Sequence, residues 1–184
     1  MLNKIKIYTI FISICAVFLS SLINSSHAQS LDKFLTYTDN DRGFAIQYPS
    51  NWQIEDDPEG VLFQIPDRDE SVLGSFFLVS VEEPESYPNT DTMTLKNTSL
   101  QQRVQRSLNT ALSTHNLLRQ NEVTVGGNIG IKTELSMPLN YQFHIGTIAN
   151  GKFYNLEYSE DPLKVPESLP LANKMVESFQ IITE

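Results

Sequence analysis

Apolar residues alternate along Phe44, Ile46 and Tyr48, the pattern of a strand with one buried face, and Trp52 and Ile54 resume the alternation after Pro49-Ser50-Asn51. The spacing predicts two strands joined by a short turn. Val61, Phe63 and Ile65 predict a third strand. Ser75 to Val81 predicts a fourth, with Phe77, Val79 and Val81 on one side and Phe76 and Leu78 on the other, so both its faces should be covered. The period then changes. Leu100, Val104, Leu108, Ala111 and Leu112 recur at helical spacing while Gln101, Arg103, Gln105 and Arg106 face elsewhere, and Ser99 with Gln102 has the form of a capping box. A helix over roughly residues 99–114 is expected. Strand patterns return at 122–125, at 129–135 across Gly126-Gly127, and at 141–148. Asn150-Gly151, a strong two-residue hairpin signal, joins that last run to 152–158. The polar, proline-containing stretch 160–168 reads as a loop. A final helix should open with Pro170 near its first turn and carry Leu171, Ala172, Met175, Val176 and Phe179 on one stripe. Hairpins dominate and no regular β-α alternation occurs, so the expected fold class is α+β, an antiparallel sheet packed by helices.

The start of the chain adds an address. Lys4 and Lys6 precede a charge-free apolar run over 7–23, and Ser26-His27-Ala28 ends it with small residues where a signal peptidase reads them. Cleavage between Ala28 and Gln29 is expected, with 1–28 a signal peptide and 29–184 one domain; the alternative is an uncleaved anchor, since the run is near the lower length limit for spanning a bilayer. No cysteine follows the run, so a released product in the periplasm, a lumen or at the cell surface is expected, with no stable membrane insertion. Residues 1–28 hold two of the 13 basic residues and none of the 22 acidic ones, leaving 11 basic against 22 acidic, a net charge of −11. Such a balance argues against nucleic acid and anionic membrane surfaces and permits cations or a basic partner. The one cysteine, Cys15, lies in the leader, so the mature chain has neither a disulfide nor a thiolate site.

Tyr37-Thr38-Asp39, then Gly43-Phe44-Ala45-Ile46-Gln47-Tyr48-Pro49 with Trp52 shortly after, resembles the opening of the PsbP family, the extrinsic photosystem II proteins and their non-photosynthetic relatives. The closing stretch is also similar: Asn150-Gly151-Lys152, Tyr154 and Leu156, then Leu169-Pro170, Met175 and Ser178-Phe179. The resemblance implies an α-β-α sandwich around an antiparallel sheet. It also implies a non-enzymatic accessory role, since PsbP proteins help retain calcium and chloride at the oxygen-evolving centre and relatives act in complex assembly. Plant-type members engage the photosystem with a long N-terminal arm; here only a short stretch separates Ala28 from Gly43.

Sequence motifs for catalysis are sparse. Beyond the leader only His115 and His144 remain, and no Gly-x-Ser-x-Gly elbow, His-Glu-x-x-His helix or Walker loop occurs. Asp39-x-Asp41-x-Gly43 superficially matches a calcium loop, but an EF-hand needs glycine sixth and glutamate twelfth, and here glycine is fifth and Ser50 twelfth. A turn is the better reading. The acidic clusters are sorted by hairpin geometry. A strand over 61–65 spans about 17 Å at ~3.3 Å per residue, which separates Asp56, Asp57 and Glu59 from Asp67, Asp69 and Glu70. Antiparallel pairing with 75–81 would return Glu82, Glu83 and Glu85 beside Asp56, Asp57 and Glu59. Six carboxylates on one rim could hold calcium at about 10⁻⁴–10⁻³ M, or simply keep a sheet edge charged against aggregation. Asn97-Thr98-Ser99 has the form of a glycosylation sequon whose use depends on the host. The expectation is a secreted, non-catalytic binding or assembly module with a protein partner outside the cytoplasmic membrane. A calcium-responsive module and an enzyme of unrecognised type are the rivals.

Overall fold

The computed structural model describes residues 33–58, 60–66, 74–82, 100–112, 116–137 and 139–182. Its strands form two antiparallel sheets. The smaller has the order β1-β2-β10, from Phe34–Asp39, Phe44–Pro49 and Gln180–Ile181. The larger contains β3 (Gln53–Asp57), β4 (Gly60–Gln64), β5 (Phe76–Glu82), β6 (Asn116–Val125), β7 (Asn128–Met137), β8 (Asn140–Ala149) and β9 (Lys152–Glu160), in the order β3-β4-β5-β9-β8-β7-β6. Two meanders, β3 to β5 and β6 to β9, are joined where β5 pairs with β9, from Phe76 opposite Ser159 to Glu82 opposite Phe153.

Helix α1 (Leu100–Leu112) and helix α2 (Val165–Ser178) take opposite faces of the larger sheet. On the α1 side Val104 and Leu108 pack on Leu135 and Phe153. On the other side α2 and the small sheet share one core with the sheet: Phe44 and Ile46 from β2, Phe63, Phe77, Phe143, Leu156 and Tyr158 from the large sheet, and Ala172 and Met175 from α2. Phe179, just past α2, stacks on Phe44 with ring centroids 5.7 Å apart and meets Tyr154 edge-on at 5.9 Å. Helices enclosing an antiparallel sheet are the α-β-α arrangement expected.

Several boundaries differ from the sequence reading. β2 and β3 follow one another but belong to different sheets; the chain crosses over at 50–52 and Trp52 is buried at the crossing. Ile54, expected to share that burial, is 38% exposed because β3 is an edge strand. β5 buries Phe77 and Val79 fully but Phe76 and Leu78 only in part. Arg103 is buried, not turned outward: its guanidinium lies 5.9 Å from the centre of the Phe153 ring. β6 begins at Asn116, six residues before the predicted start, in an exposed stretch that needs no alternation. α2 begins at Val165 and not near Pro170, with Pro166 in its first turn and Pro170 inside it. The supposed loop before it is a tight turn in which Lys164 N and Val165 N donate to Asp161 O, and Leu163 N to Asp161 Oδ1. Strands β1 and β10 were not foreseen. Residues 1–32, Asn97, Ser99 and His115 lie outside the described residues.

Candidate functional site

The turn between β1 and β2 is built by Asp39. Its backbone carbonyl accepts the Gly43 N–H at 2.9 Å, Oδ1 accepts the Arg42 N–H at 2.8 Å, and Oδ2 accepts Arg42 Nη1 at 2.8 Å. Arg42 then donates Nη2 to the carbonyl of Asp57 at 3.0 Å, tying this turn of the small sheet to the end of β3 in the large one. The hydrogen bond to Asp39 holds the guanidinium pKa above its usual range. Burial, and after it the Asp39 and Asp56 carboxylates, raise the Tyr37 phenol.

A second turn approaches from the large sheet. Asn150 and Gly151 have φ of 50° and 79°, the left-handed pair that a two-residue hairpin with the natural twist requires. That turn delivers Lys152, whose Nζ donates to the Asp41 carbonyl at 3.0 Å, and Tyr154, whose buried hydroxyl donates to the Arg42 carbonyl at 3.2 Å. The segment Asn40-Asp41 thus becomes a ridge between two open hollows. One, of about 450 Å³, is lined by Gly43, Asn150, Lys152, Tyr154 and Ile182 with the ridge itself. The other, of about 480 Å³, is lined by Tyr37, Thr38, Asp39, Arg42 and Asp56 with the ridge.

The acidic rim is placed by register. Asp57 opposes Gly60, which opposes Ser80, so the end of β3, the start of β4 and the exit of β5 meet at one end of the sheet. Asp56, Asp57 and Glu82 are therefore at that end, as the hairpin argument required. Glu59, Glu83 and Glu85 lie outside the described residues. Among the described residues no group of three or more His, Cys, Asp or Glu side chains is arranged to hold a metal, so the three described carboxylates alone do not supply a calcium shell of six to eight oxygens.

Among the described residues, two polar clusters lie elsewhere. His144 faces Glu157 across β8 and β9, Nδ1 to Oε2 3.6 Å, on the α1 side and away from both hollows. Burial pushes the Glu157 carboxyl up to about 7. Thr133, opposite His144 on β7, is buried and accepts Gln120 Nε2 at 2.9 Å. Glu160, assigned from sequence to a polar loop, ends β9 and is buried: it accepts Ser75 Oγ at 2.5 Å, the Asp161 N–H at 2.9 Å and Ser168 Oγ at 3.1 Å, while Ser168 shares a 2.6 Å bond with Tyr158. This network pins the turn before α2. Its only trace in the sequence is Asp-Pro after a strand, which also marks ordinary loops. Arg42 too was missed, although Asp39 and Arg42 three apart in a turn are a legible pair.

A sequence profile of the PsbP family matches residues 32–181. The chain belongs to the PsbP family. Among solved structures it is similar to the cyanobacterial PsbP (CyanoP) of Synechocystis sp. PCC 6803, with 15% identity, 86% of this chain and 98% of that one covered, and a TM-score of 0.56; this likeness is one of fold. Fainter likenesses are to LpqN, involved in cell envelope biogenesis of Mycobacterium tuberculosis (12% identity, 88% and 97% covered, TM-score 0.47), and to a protein of Bacteroides thetaiotaomicron (12%, 81% and 48%, TM-score 0.45). No protein of curated function matches the sequence. Of the residues that carry the PsbP resemblance, Tyr37, Thr38, Asp39 and Gly43 near one end and Asn150, Lys152 and Tyr154 towards the other line the two hollows, whereas Phe44, Ile46, Trp52, Leu156, Met175 and Phe179 are core. The middle of the chain contributes Asp56 alone.

Proposed function

We propose that this PsbP domain, residues 29–184 after loss of a leader at Ala28, is a non-catalytic accessory module that works outside the cytoplasmic membrane and docks a protein partner at the ridge Asn40-Asp41. One observation carries the reading: those family-typical residues from both ends of the chain that are not core meet there, and the polar groups of Lys152 and Tyr154 are held by backbone contacts rather than arranged around a nucleophile. Lys152 and Tyr154 spend hydrogen bonds on the carbonyls of Asp41 and Arg42, which makes a rigid, preshaped surface of the kind binding favours. No helix among the described residues is long and apolar enough to cross a membrane, which is compatible with release after cleavage. A photo-crosslinking residue at Asn40 or Asn150, in protein expressed in its native host, should yield one discrete adduct that the same residue at exposed Lys174 does not. Equal adducts at all three positions would leave the ridge without a role. Mass spectrometry of the same preparation should find Gln29 at the N-terminus; an intact Met1 on membrane-bound protein would replace the secreted reading with an anchored one.

A further inference from the structure

The seven-stranded sheet ends on two edges of different character. β3 is five residues long and carries Glu55, Asp56 and Asp57. β6 is ten residues long, and only Arg119 and Glu122 on it are charged. Arg119 folds back onto its own sheet, Nη2 2.7 Å from Glu134 Oε1. The strand is exposed from Asn116 to Glu122, with Leu117 and Leu118 at 54% and 55%, and among the described residues the sheet order stops there. Alternate backbone N–H and C=O groups of an edge strand point outward, and an added strand satisfies them together. β6 has neither proline nor lysine to guard it. Its one irregularity is a register shift between Leu117 and Arg119, which leaves 119–125 regular.

We propose that β6 is a self-association edge, through which two copies of this chain pair antiparallel about a two-fold axis perpendicular to the sheet. Charge selects the occupant. Two β3 edges would set carboxylates against carboxylates, whereas two β6 edges are each neutral. A β6-to-β3 contact would also be head-to-tail and propagate, while β6 to β6 is isologous and closes. Register follows from the same geometry. A perpendicular axis keeps each face on its own side, so paired residues must be an even number apart. Centring on Glu122 sets two like charges opposite each other, and centring on Gln120 runs into the irregularity. Centring on Asn121 avoids both and places Gln120 opposite the partner's Glu122. The Gln120 amide, already donating one N–H to Thr133 Oγ1 at 2.9 Å, has a second for that carboxylate. Strand pairing alone buries less than the ~1,600 Å² of a standard interface, and each copy carries a net charge of −9 before processing, so the dimer is weak and strengthened by salt.

Sedimentation of the full chain should show a reversible monomer–dimer equilibrium that shifts toward dimer in roughly 0.5 M salt, where the Debye length is a few ångströms. Asn121→Lys, an exposed change that places like charges on the axis, should give monomer with an unchanged melting temperature. With Cys15→Ser, Asn121→Cys should oxidise to a disulfide dimer, because paired Cα atoms about 4.5–5.5 Å apart are within bridging distance; Ile54→Cys on β3 should do so far more slowly. A monomer at every concentration and salt, persistence of the dimer in Asn121→Lys, or equal cross-linking at Ile54→Cys would overturn the proposal.

Discussion

The carboxyl of Glu157 lies on the α1 side of the sheet with its side chain 19% exposed, and burial moves its pKa from 4.5 to about 7. Between those values the folded chain holds a proton that the unfolded chain has released. Stability from this group is therefore complete below about pH 4.5 and is lost as pH rises through about 7. Residual solvent and the nearby His144 temper the effect, so the loss should be on the order of 1–3 kcal/mol from about pH 5 to about pH 8. Glu157→Gln, which cannot ionise, should melt higher than the parent at the alkaline end and flatten the pH profile, as urea titrations across that range will show; parallel profiles would mean the carboxyl is solvated. Glu160 is buried with both side-chain oxygens accepting hydrogen bonds. Glu160→Ala would remove the acceptor of the Ser75 hydroxyl and of the Asp161 N–H, while Ser168 keeps its bonds to Tyr158 and the Lys164 carbonyl, and should cost about 2–4 kcal/mol in chemical denaturation. Neither role is visible along the chain, because in the sequence Glu157 is one polar position in an alternating strand and Glu160 lies between Ser159 and Asp161. Burial distinguishes them, and it is conferred by strands that are distant in sequence.

Elements were read well where one face is apolar and the other polar. β2, β4, β7, β8 and β9 all show it, and Asn150-Gly151 marked its turn correctly. They were read poorly at edges, since β1 and β6 pack little on their outer sides and need no alternation and β3, expected as a strand, leaves Ile54 exposed, and at the Asp161-to-Lys164 turn, whose polar residues and Pro162 resemble a longer loop. Two substitutions test the element contacts. Gly60 opens β4 with its Cα so near β5 that a Cβ would sit 1.9 Å from the Val79 carbonyl oxygen. Gly60→Ala must therefore push β4 off β5 and should destabilise by at least ~2 kcal/mol. Phe179 ends α2 against Phe44 and Tyr154, and Phe179→Ala should cost about 3–5 kcal/mol by thermal melting, as truncation of a buried aromatic does. An unchanged melting temperature in either variant would place the core elsewhere.

At the scale of the molecule, the two sheets and α2 share one apolar cluster, and Trp52, the sole tryptophan, is buried in it at the crossing between sheets. Unfolding should accordingly be a single transition, with the melt followed by Trp52 fluorescence superposing on that followed by far-ultraviolet circular dichroism. Separate midpoints would show that the small sheet opens on its own.

Local chemistry was enough for what depends on neighbours along the chain: period-two and period-3.6 segments, a hairpin turn, and the motifs that placed the chain in its family. The partition of the strands between two sheets depended on something else, namely which apolar faces find each other, and the alternation of β2 and β3 is the same whether they pair or part. The ridge at Asn40-Asp41 has the same origin. Asp41 and Lys152 are 111 residues apart in sequence, and only the packing of β2 and α2 against β9 brings their turns within reach of a hydrogen bond. Charge likewise acquired meaning from position, since the sequence counts Arg42, Glu157 and Glu160 as surface ions while the fold makes one a clamp, one a proton-holding site and one the anchor of a turn.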